Sequence, residues 1–135
     1  MPATLTAVRD ALATALATIP GLNTSATAPG QVTIPIAFVL PGDPVVSFDS
    51  TMARGSDDFQ LIVRLLVGQQ TDYASQDEID KYLAGTGTHS VKEAVDGNLA
   101  GAVDFARVAS ARNYGEFDHN GALYLGVEFV VEVTA

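Results

Sequence analysis

Apolar residues recur at two distinct periods along this 135-residue chain, and the periods mark out its elements. Leu5, Val8, Leu12, Leu16 and Ile19 step by three and four residues, the spacing of one face of an α-helix. Thr4 stands where a cap is needed and Pro20-Gly21 supplies a stop. The opposite face, Thr6, Ala13, Thr14, Ala17 and Thr18, is small and nearly uncharged, which suits a second packing partner better than open water.

Beyond this helix the period drops to two. Thr33 to Leu40 places Ile34, Ile36, Phe38 and Leu40 on one side, and Pro35 points to an edge position or a strand start. Pro41-Gly42-Asp43-Pro44 is expected to end that strand, and no period survives from Val45 to Asp57, so a flexible loop or arm is expected over about 41–57. Asp58 to Gly68 alternates again. Its second face, Gln60, Ile62, Arg64 and Leu66, is apolar enough to predict a central strand.

Ser75-Gln76-Asp77-Glu78 and Ser90-Val91-Lys92-Glu93 both have capping-box form and predict two short helices, ended by Gly85 and by Gly97-Asn98. Asp104 to Ala111 alternates weakly. Asn120-Gly121 is a favoured hairpin pair, and Ala122 to Thr134 then alternates with almost no error. Leu123, Leu125, Val127, Phe129, Val131 and Val133 face one way, against Tyr124, Gly126, Glu128, Val130 and Glu132. At about 3.3 Å per residue this last strand is some 40 Å long, more than a small core requires. The expected fold is α+β, a single domain over 1–135, with a mainly antiparallel sheet of about four to five strands packed by an N-terminal helix and two short helices.

Charge narrows the classes of function. Seven Lys and Arg face sixteen Asp and Glu, for a net charge of −9, and the basic residues are scattered singly. No basic patch for reading nucleic acid is present in that pattern, although an acidic surface suits one past which DNA slides without sticking. Hydrophobic residues make up 47% and charged ones only 17%, leaving much surface for contact with other subunits. Cysteine is absent, so thiolate sites and disulfides are excluded. Arg9 and Asp10 interrupt the first helix, which therefore matches neither a signal peptide nor a membrane span, and no membrane partner is expected.

Candidate chemistry is sparse. Gly85-Thr86-Gly87-Thr88-His89-Ser90 approaches a phosphate loop, but His89 occupies the lysine position and a helix precedes it, so it is expected to be an interhelix turn. Asp72, Asp77, Glu78 and Asp80 lack the spacing of a calcium loop and are explained by the helix dipole. His89 and His119 each fall in a turn without a partner at metal-binding spacing, and no Gly-x-Ser-x-Gly elbow exists. Glu128 and Glu132 are expected on an exposed strand face rather than as a glycosidase pair. No catalytic, metal-binding or cofactor-binding residue is assigned. Candidate contacts with other subunits or a tube are Phe48, Asp49, Arg54 and Asp57 in the loop, Asp58 at the strand start, and Arg64 within the strand. Arg54 suits a local ion pair or an intersubunit contact equally, and Arg64 is expected to find a carboxylate or emerge at a boundary.

Several segments, taken in order, carry a resemblance. They are the helix ending Ile19-Pro20-Gly21, Phe48-Asp49-Ser50-Thr51 with Arg54-Gly55-Ser56-Asp57, the acidic start at Ser75 to Asp80, and Ser90-Val91-Lys92-Glu93-Ala94 followed by Leu99-Ala100-Gly101. The closing Gly121-Ala122-Leu123-Tyr124-Leu125-Gly126-Val127-Glu128-Phe129 completes the set. In this order and spacing the chain resembles the tail terminator family of long-tailed bacteriophages, over nearly its whole length. Leu99-Ala100-Gly101 departs from that family's usual Leu-Gly-Gly-like turn. The resemblance implies a non-catalytic subunit without cofactors that forms a homohexameric ring on the last ring of the major tail tube protein. It also implies contact with a head completion or stopper protein, and DNA passing through the lumen without sequence-specific binding. The implied location is the virion tail, at the head–tail interface, after assembly in the host cytoplasm. A neighbouring head–tail connector, neck or tail completion protein is the alternative. A small enzyme using His89 or His119 and a ligand-binding module with a deep apolar pocket are the weaker ones.

Overall fold

The computed structural model describes residues 5–19, 21–25, 35–47, 58–68, 73–95, 105–119 and 122–134. Its elements, in chain order, are α1 (Leu5–Leu16), β1 (Asn23–Ser25), β2 (Ile36–Ser47), β3 (Asp58–Gly68), α2 (Tyr73–Leu83), α3 (Val91–Val95), β4 (Phe105–His119) and β5 (Ala122–Thr134). The strands form one five-stranded sheet in the order β1-β2-β3-β5-β4. β1 runs parallel to β2 and every other pairing is antiparallel. The fold is therefore α+β with a mixed, mostly antiparallel sheet, as the alternation predicts.

All three helices pack on one face of the sheet. Val8, Leu12, Leu16 and Ile19 from the first helix and its C-terminal turn, Ile79 and Tyr82 from α2, and Val91 and Val95 from α3 join the odd-numbered residues of β3 and β5 in a single core. α1 closes with Ile19 N–H donating to the Leu16 carbonyl at 3.0 Å, and Gly21 then takes φ +75°, a left-handed stop that favours glycine. Thr14 and Thr18, on the exposed side, donate their hydroxyls to the Asp10 and Ala15 carbonyls of the same helix. The predicted residues Thr4 and Pro20 lie outside the described set.

The structure differs from the periodic pattern in four places. β2 does not end at Pro41. It pairs with β3 as far as Pro41↔Leu61 and resumes at Val46↔Phe59, so five residue steps on one strand face two on the other. Gly42 permits this large bulge, because a Cβ there would collide with the Gln60 carbonyl. The expected loop over 41–57 thus loses residues 41–47 to strand, and 48–57 lie outside the described residues. α2 begins at Tyr73, so Ser75 stands within the helix rather than capping it. β1 escapes the alternation pattern because it has only three residues, held by the Asn23 amide donating to the Pro35 carbonyl at 3.0 Å. β4 runs on to His119, well past Ala111. Register shifts between Val108 and Ser110 and between Arg112 and Gly115 break the alternation that marks a strand.

β3 is central, flanked by β2 and β5, and its apolar residues are buried on both faces. β5 spans Ala122–Thr134 as expected. His119 pairs with Ala122, which leaves two residues for the hairpin connection. No helix among the described residues is long and apolar enough to cross a membrane.

Candidate functional site

The far face of the sheet, away from the helices, carries an unusual row of side chains. Phe38 on β2, Arg64 on β3, Glu128 on β5 and Arg112 on β4 lie directly opposite one another in the strand registers. Arg64 donates two hydrogen bonds to Oε2 of Glu128, from Nη2 at 2.7 Å and Nε at 3.1 Å. Asn113 Nδ2 donates to Oε1 at 2.7 Å, and Arg112 Nε stands 3.7 Å from the same oxygen. Glu128 is only 5% exposed. The expected exposed face of the last strand is therefore corrected: Glu128 is buried because cations and an amide donor on its two neighbouring strands enclose it. Burial pushes its carboxyl up, but the Asn113 and Arg64 hydrogen bonds and the charges of Arg64 and Arg112 together outweigh that and hold it below the usual carboxylate value.

The network depends on local backbone features. Asn113 adopts φ +55°, within the region that asparagine tolerates better than most residues, and this aims its amide across the bulge at Glu128. Arg64 also lies 4.7 Å above the Phe117 ring. Phe117 can reach that place because residue 126 is glycine: a Cβ there would strike the Leu65 carbonyl and press on Leu66 and Phe117. Phe117 and Tyr124 pack against a second small apolar cluster of Ile36, Phe38 and Leu66. Further along, Arg107 donates to Oε1 of Glu132 at 3.0 and 2.5 Å, in a pair about half exposed on both sides.

Of the residues expected to make intersubunit contacts, Arg64 follows the first of its two expected outcomes and meets a carboxylate, that of Glu128. Asp58 starts β3, half-buried and opposite Thr134, six positions and about 20 Å along the strand from Arg64. The two are not brought together. Phe48, Asp49, Arg54 and Asp57 lie outside the described residues. Sequence reasoning misses Asn113, Arg112 and Phe117, because their recruitment depends on a bulge that alternation does not reveal.

The phosphate-loop candidate folds as the turn between α2 and α3 beside an open groove of about 470 Å³, lined by Thr18, Thr86, Gly87, Thr88, Ser90, Glu93 and Ala94. Its polar groups already serve each other. Ser90 Oγ accepts from the Glu93 N–H at 3.1 Å and donates to the Ala84 carbonyl at 2.5 Å. The Glu93 carboxylate accepts from the Gly87 N–H. The negative charge that a bound phosphate would bring to this turn is thus supplied by the chain's own glutamate.

His89 is half-buried and edge-on to Tyr82, with ring centroids 6.1 Å apart, and Tyr82 Oη donates to Glu78 at 3.5 Å. Burial, then the charge and hydrogen bond of Glu78, push the Tyr82 hydroxyl up to about 12. The His119 side chain and Asp72 lie outside what is described. Among the described residues no three His, Asp or Glu side chains gather closely enough to hold a metal ion.

Every residue of β4 from Ala109 to Tyr114 is exposed. Tyr114, 45% exposed, and Leu123, 53%, are the large apolar side chains that stand in solvent among the described residues. Slight burial, then the charges of Asp80 and Asp77 on α2, raise the Tyr114 hydroxyl. No family model and no curated protein matches this chain.

Proposed function

We infer that this chain is a structural subunit of a long-tailed phage virion, a tail terminator that forms a ring on the end of the tail tube and there meets the head completion complex. The observation that carries the inference is strand β4, a fifteen-residue edge strand whose residues from Ala109 to Tyr114 all stand exposed, in a sheet whose central strand is buried on both faces. A subunit with neighbours needs such a surface. The order and spacing of segments that resemble the terminator family support the same function. So does the charge of −9, because lysines lining a DNA channel would exchange counterions with phosphate and slow its transit.

The polar side chains with catalytic potential support a non-catalytic role by their distribution. Glu128 is enclosed by three partners, Glu93 caps a turn, and His89 packs on Tyr82. Tail tube protein polymerised with and without the purified chain tests the function. Capped tubes stop growing, so their length distribution shortens and narrows in proportion to added chain. An unchanged distribution contradicts a terminator, and binding at the head-proximal end without arrest of growth indicates a neighbouring neck protein.

A further inference from the structure

Strand β4 presents opposite chemistry on opposite sides of the sheet. In its first half Arg107 and Arg112 lie on the face away from the helices, paired with Glu132 and Glu128, and are 55% and 51% exposed. After the shift between Arg112 and Gly115, Glu116 stands opposite Leu125 and Asp118 opposite Leu123. Leu125 belongs to the helix-side core, so Glu116, Asp118 and Leu123 lie on that side, and these three and the neighbouring Tyr114 in the bulge are all exposed. The same edge of the sheet thus offers an arginine surface on one side and, at the hairpin end, an acidic surface flanked by the exposed Tyr114 of β4 and Leu123 of β5.

We propose that these two surfaces are the complementary halves of a head-to-tail contact between copies of this chain, with Arg107 and Arg112 of one copy docking on Tyr114, Glu116, Asp118 and Leu123 of the next. The occupant is a second copy because one chain carries both halves and their charges are opposite. Surfaces on opposite sides of a subunit make a heterologous contact, and such contacts close into rings when the rotation permits. Both arginines already reach one carboxylate and remain half exposed, so the outer side of each guanidinium is open to a second. Two bulges and a left-handed Asn113 spoil the outer edge of β4 as a template for strand addition, so side chains rather than a continued ladder carry the contact.

This proposal rests on the ring inferred above, and charge reversal separates the two. Sedimentation velocity is measured for the wild type, Arg107→Glu, Asp118→Arg and the double variant, with circular dichroism as the check on folding and Glu116→Lys as a second acidic-side variant. Any one reversal alone is expected to weaken self-association by about tenfold or more, and the double variant to recover it, because the two charges are then exchanged across the contact and are opposite again. Rings or tube caps that form equally well with either single reversal, or a double variant no better than the singles, overturn this contact and leave the terminator function standing. A wild type that neither self-associates at millimolar concentration nor caps tubes overturns both.

Discussion

Glu128 is the residue on which the far face of the sheet turns. Its carboxylate joins β3, through Arg64, to β4, through Asn113 and Arg112. Removing one partner of a buried ion pair strands the rest, so Glu128→Gln is expected to lower unfolding free energy by about 3 kcal/mol in chemical denaturation. The pH dependence follows from its lowered pKa. The stabilisation is fully present above the ordinary glutamate value of about 4.3 and is lost as pH falls through the lower folded value. Below about pH 4.3 the wild type should therefore lose stability more steeply than Glu128→Gln, and parallel curves would contradict this account.

Tyr82 acts at the other end of the scale, with its hydroxyl pushed up to about 12. Here the unfolded chain releases its proton first, so stability falls as pH rises from about 10 towards that value, and Tyr82→Phe should flatten the alkaline limb. Gly126 makes the sharpest steric prediction. Gly126→Ala sets a methyl group against the Leu65 carbonyl, which cannot swing aside, and should destabilise by about 3 kcal/mol with loss of the Phe117 stacking on Arg64.

Among the elements, β5 is the most constrained, paired over almost its whole length with β3 on one side and β4 on the other. Hydrogen exchange should find the Val130 to Val133 amides among the slowest in the chain, and fast exchange there would contradict the sheet order. The Ser90 cap ties the α2–α3 turn together, and Ser90→Ala should cost about 1–2 kcal/mol in thermal unfolding. Period alone makes α1, β3 and β5 legible, because each buries a regular set of apolar positions. β2 and β4 are only half legible. Their bulges at Pro41/Val46 and Arg112/Gly115 shift the register partway along, and a pattern argument takes the first break for the end of the strand. The Glu128 network is hidden for the same reason: its alternation marks a solvated face, and only the neighbouring strands bring Arg64 and Asn113 to it.

At the scale of the molecule, the acidic chain with its sparse charge and exposed edge strand is what the proposed assembly role builds on. In the proposed contact, the arginine and acidic surfaces at β4 give the polarity along which copies follow one another. Both the proposed function and the proposed contact converge on one object, a closed ring seated on the end of a tube. Electron microscopy of the purified chain, alone and mixed with long-tailed phage tail tubes, tests this most directly. The account predicts ring-shaped density at one end of each tube, and tube ends left bare with no rings in either sample would contradict it.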